Sequence, residues 1–125
     1  MASVGYFEGT DPVILTRLAA RGIGTLPLSN GFDMHGKYVN HLARQDDISV
    51  VVGYLHKVMP TGGVSVAPRD LLFSCLTNDI PVVLVAERAF HEAALERLGE
   101  VRDRVKLVDP ADLYEAILQE TSQAG

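Results

Sequence analysis

Residues 48–57 read ISVVVGYLHK, and residues 58–67, VMPTGGVSVA, follow them directly. The triple valine between Ile48 and Leu55 favours a buried strand, because β-branched side chains suit a pleated surface. That strand delivers His56 and Lys57 into a glycine-rich loop, and Pro68 then opens a helix, since proline is tolerated in a first helical turn. Polar side chains and free backbone N–H groups thereby meet in one place, which is the outline of a ligand site.

Working outward, three more apolar stretches end in the same way. Residues 3–7 form a first strand, after which Thr10, Asp11 and Pro12 supply an N-cap and a first-turn proline. Val13, Ile14, Leu15 and Leu18 make the buried stripe of that helix, and Gly22 stops it. A weaker strand over residues 24–28 is expected at a sheet edge, because Pro27 lacks a ladder donor. A long loop over residues 29–36 leads to a short helix over residues 37–44. Beyond the central strand, the Pro68 helix carries Leu71, Leu72, Cys75 and Leu76 on one face. Residues 81–86 are a continuous apolar run without alternation, as a parallel strand covered on both faces requires. A helix over residues 87–98, a strand over residues 105–108 and a final helix capped by Asp109 and Pro110 complete the chain, with a polar tail from Glu120 that frays.

Alternating strands and helices with short connections predict an α/β fold: one domain, a doubly wound parallel sheet of about five strands in the flavodoxin-like order 2-1-3-4-5. The order reverses between the first and third strands. The loops after strands one, two and three therefore share one carboxyl edge.

The 125 residues, 47% of them hydrophobic, suffice for one domain with a real core. No stretch is long and apolar enough for a membrane span, and no basic-then-apolar leader opens the chain, so a cytoplasmic protein is expected. The lone Cys75 excludes an internal disulfide and reads as a core residue. A net charge of −5 argues against nucleic acid as partner. Between His35 and Arg69, however, Lys37, Arg44, Lys57 and Arg69 outnumber Asp46 and Asp47, a local balance that suits a small anionic ligand.

The candidate site residues follow from the three loops. Glu8 and Thr10 come from the first. Asn30, Asp33, His35 and Lys37 come from the second, where Asp33 can orient His35 for acid–base work and Lys37, at a helix start, can hold a carboxylate or phosphate. His56 and Lys57 end the third strand, and Thr61, Gly62, Gly63 and Ser65 offer close backbone approach and two hydroxyls. The loop is neither a Walker motif nor a dinucleotide fingerprint. Asp33, His35, His56 and Glu8 stand at no recognised metal-ligand spacing, and the sequence names no cofactor. His91 and the charged residues from Glu92 to Arg104 read as a solvated helix face.

From Tyr38 to Val85 the order of features resembles that of nucleoside 2-deoxyribosyltransferase-like proteins, carried by ISVVVGYLHK, TGGVSVAPRD and LLFSCLTNDIPVVLV, with VKLVDPADLYEAIL matching that family's close. The family's nucleophilic Glu has no counterpart at its place, and Asp70, offset by one residue, is the nearest carboxylate. The resemblance implies a nucleoside or nucleotide ligand, attack by an acidic group at the ribosyl carbon, and acid–base help from Asp33, His35 and His56. A non-catalytic sensor of a small molecule, acting as a homo-oligomer, is the alternative on the residues themselves, and a purely structural subunit is a third reading.

Overall fold

The computed structural model describes residues 3–29, 36–39, 42, 47–55 and 72–124. Its strands are β1 (Ser3–Phe7), β2 (Gly24–Ser29), β3 (Lys37–Tyr38), β4 (Val50–Tyr54), β5 (Val82–Val85) and β6 (Val105–Val108). They form one sheet in the order β3-β2-β1-β4-β5-β6, and every pairing is parallel. Without the two-residue β3, this is the expected flavodoxin-like order 2-1-3-4-5. The helices are α1 (Pro12–Ala20), α2 (Phe73–Thr77), α3 (His91–Leu98) and α4 (Leu113–Ala124).

Strand alternation divides the core into two layers. On one face Val4, Val50, Val52, Val83 and Val85 pack against Ile14 and Leu18 of α1 and Leu113, Ala116 and Ile117 of α4. On the other, Phe7, Leu28, Val51, Val82 and Leu84 meet Leu72, Cys75, Leu98 and Val101. Each fully buried Val or Leu contributes about 1.5–3 kcal/mol of burial free energy, so the unalternating valine runs hold both helical layers at once. Two strand glycines make room for bulk next door. A Cβ on Gly53 would lie 2.6 Å from Cδ2 of Phe7, and one on Gly5 would lie 2.7 Å from Cδ1 of Leu28.

Local signals set the helix ends. Asp11 Oδ1 accepts from Val13 N at 2.9 Å, with Pro12 in the first turn. At the far end Gly22 takes φ +79°, and Gly22 N and Ile23 N donate to Ala19 O and Leu18 O. α2 closes in the same way with Asp79 at φ 54°. There the Arg104 guanidinium donates to Leu76 O, one of the helix's last carbonyls, and to Asp79 Oδ1, both at 3.1 Å.

Four expectations are corrected. Val13 is 63% exposed, because the turn set by Asp11 and Pro12 rotates it off the stripe that Ile14 and Leu18 bury. Lys37 does not start a helix: Lys37 and Tyr38 pair with Leu28 and Ser29, since β2 regains ladder donors after Pro27. Consequently β2 is not the edge strand at its carboxyl end. Gly36 permits this return at φ +86°, where a Cβ would lie 2.6 Å from the Pro27 carbonyl carbon. The polar tail is helical through Ala124, held where buried Thr121 donates from Oγ1 to Ile117 O at 3.1 Å.

Candidate functional site

The first loop is short and tightly specified. Phe7 ends β1 fully buried, and its carbonyl accepts from both Thr10 N at 3.3 Å and Thr10 Oγ1 at 2.7 Å. Those two bonds fold residues 8–10 into a turn, which Gly9 completes at φ +89°. A Cβ at Gly9 would lie 3.8 Å from Cδ2 of Tyr54, so the turn rests beside the ring that ends β4. Glu8 is exposed at the rim, whereas Thr10 is buried with its hydroxyl proton committed to the turn.

Register brings the strand ends together. Phe7 is level with Leu28, Leu28 with Lys37, and Tyr6 with Val52, two residues before Tyr54. The strand ends at Phe7, Ser29 and Tyr54 therefore lie along one carboxyl edge, as topology predicts. Lys37, half-buried in β3, stands at that edge too. Asn30, Asp33, His35, His56, Lys57, Thr61, Gly62, Gly63, Ser65 and Asp70 lie outside the described residues.

The sheet parts its helices at this place. α1, which follows β1, packs on one face, while Leu72 and Cys75, in the connection that follows β4, pack on the other. In open α/β sheets such a divergence between neighbouring strands marks the place where ligands bind.

A second polar grouping, absent from the sequence-based site, lines a groove of about 400 Å³ beside β6. Asp109 Oδ1 accepts from Arg88 N and Oδ2 from Ala111 N, both at 3.1 Å. These two backbone donors, Ala111 foremost, hold its carboxyl below the usual carboxylate range. Arg88 also pairs with Asp112 at 3.1 Å, Lys106 donates to Gln119 at 3.0 Å, and the His91 ring Nε2 lies 2.6 Å from Ala86 O. His91 is thus half-buried and tied to the β5 end rather than solvated. The Asp109-Pro110 signal marked a helix cap; nothing in it foretold that the same carboxylate would also hold the loop after β5.

Among the described residues no group of three or more His, Cys, Asp or Glu can hold a metal ion, and no helix is long and apolar enough to cross a membrane. Cys75 is fully buried, and burial pushes its thiol up to about 12, so it is inert at neutral pH. No protein-family model, curated protein or solved structure matches the chain.

Proposed function

We propose that the protein binds a small anionic ligand of nucleoside or nucleotide type at the carboxyl edge of its sheet, over the ends of β1 and β4. The observation that carries this reading is the parting of α1 and α2 to opposite faces after adjacent parallel strands. Open α/β sheets bind ligands at such a divergence, outside the carboxyl ends of the strands. Lys37 at the same edge, and the cationic balance of residues 35–69, favour an anionic group.

Binding and turnover are separable. A thermal-shift screen of the full chain against nucleosides, nucleotides, sugar phosphates and divalent metal salts tests the first. A nucleotide present at 100 times its Kd is expected to raise stability by about 2.7 kcal/mol, and no shift from any member of the set would overturn the proposal. His35→Ala and His56→Ala then test the resemblance to deoxyribosyltransferase-like proteins: an enzyme loses nucleoside cleavage while keeping its fold, whereas a sensor shows no cleavage in the wild type and loses only the ligand-induced shift. A homo-oligomer is part of either reading, because one face of a small five-strand domain rarely shapes a complete pocket alone, and light scattering of the purified chain checks it.

A further inference from the structure

We infer that the free edge of β6 receives an extended peptide segment of another protein, carrying a lysine or arginine side chain, by strand addition. β6 ends the sheet and pairs with β5 alone among the described residues. The ladder fixes which of its backbone groups are left over. Ala86 N donates to Val108 O, so Val108 and, by alternation, Lys106 turn their backbone groups toward β5, while those of Val105 and Leu107 turn outward. An outward N–H and C=O on one residue are a template for a further strand. Lys106, the kind of charge that guards a sheet edge, is tied back at 3.0 Å to Gln119 Oε1 on α4.

Leu107 lines the groove of about 400 Å³ beside β6, so the unpaired edge opens into it. The groove's walls come from both helical layers. α4, packed on one face of the sheet, brings Asp112 at its start and Glu115 one turn on, and the connection into α3, packed on the other face, brings Arg88 and His91. Charge then selects the occupant. Asp109, Asp112 and Glu115 set three carboxylates against two permanent cations, Arg88 and Lys106, and α4 holds no Lys or Arg along its length. A second copy of this chain suits the edge poorly: β6 paired antiparallel with a twofold mate lays α4 beside α4, acid against acid, and a net charge of −5 repels its own kind. A basic segment from another protein meets neither obstacle.

The test is an NMR titration of the isotope-labelled full chain with a short blocked peptide of alternating threonine and valine around a central lysine. Its counterpart with a central glutamate, and the lysine peptide methylated at its backbone nitrogens, run beside it. At about millimolar peptide the Val105 and Leu107 amides are expected to shift, and the lysine peptide to bind about fivefold tighter than the glutamate one, the scale of an exposed ion pair. Glu115→Lys is expected to remove that preference. Leu107→Pro, which deletes an N–H that the sheet does not use, is expected to abolish binding while the fold still melts cooperatively, and the methylated peptide tests the same bonds on the unaltered protein by failing to bind. Unmoved Val105 and Leu107 amides, equal binding of the lysine and glutamate peptides, an unchanged preference in Glu115→Lys, or undiminished binding of the methylated peptide overturns the assignment. A dimer in light scattering that Leu107→Pro dissociates overturns it too, by giving the edge to a second copy.

Discussion

Two places on the carboxyl edge are built on opposite principles. Around β5 and β6 Asp109 holds Arg88 N and Ala111 N, Arg88 meets Asp112, His91 meets Ala86 O and Lys106 meets Gln119. Beyond β1 the turn is equally well bonded, yet Glu8 stands outside it. Carboxylates in the two places look alike in sequence, since both Glu8 and Asp109 directly follow an apolar strand. Their surroundings separate them: a carboxylate whose two oxygens are filled by backbone donors holds loops in place, and one with none filled is open to a ligand.

Three substitutions bear on that contrast. The largest effect belongs to the packing beneath Glu8. Phe7→Ala empties a fully buried position and is expected to cost about 3–5 kcal/mol, seen as a lower urea midpoint at unchanged slope. A loss below about 1 kcal/mol would mean that the β1 turn does not stand on the core as described. A smaller effect is expected for Asp109→Asn, which weakens the tie between two loops and lowers Tm at neutral pH. Its sign with pH is fixed by the depressed carboxyl. The folded value lies below that of an ordinary aspartate, so the contribution is complete above the unfolded value and fades as pH falls through the folded one. Wild-type and variant melting temperatures should converge in acid; a constant gap down to about pH 2 would remove the charge from the explanation. The smallest effect is expected for Glu8→Gln without ligand, within about 0.5 kcal/mol of the wild type in urea unfolding. A marked loss would show that Glu8 serves the fold, and the contrast would vanish.

Where local chemistry and tertiary packing agree, the chain was legible. Ser3–Phe7 and Val105–Val108 form strands at the expected bounds, and Asp11 and Asp109 cap as their following prolines indicate. The misreadings arose where distant partners decide. Lys37 and Tyr38 become a strand because β2 offers ladder groups after Pro27, which no window around residue 37 reveals. Thr121 and its neighbours stay helical because Thr121 is buried, although the tail's composition is polar. Of the candidate site, topology located the edge. The described residues place Glu8, Thr10 and Lys37 there, and they divide roles that sequence could not: Thr10 closes the turn, Lys37 sits in β3, and Glu8 remains at the rim. The groove at Arg88 and Asp109 is not legible in the sequence because the bond that joins its two sides, Arg88 N to Asp109, links residues 21 apart in the chain.

The glycines set against Leu28 and Phe7 bear on how such a chain can diverge. Gly5 and Gly53 each leave a void that a neighbouring strand's side chain fills, and a Cβ at either would lie within 2.7 Å of that side chain. Interiors packed to crystal density tolerate little unilateral change. A lineage drifting at Gly53 must shrink Phe7 in the same interval, so homologues of this chain should alternate between glycine–aromatic and alanine–aliphatic pairs at these two positions.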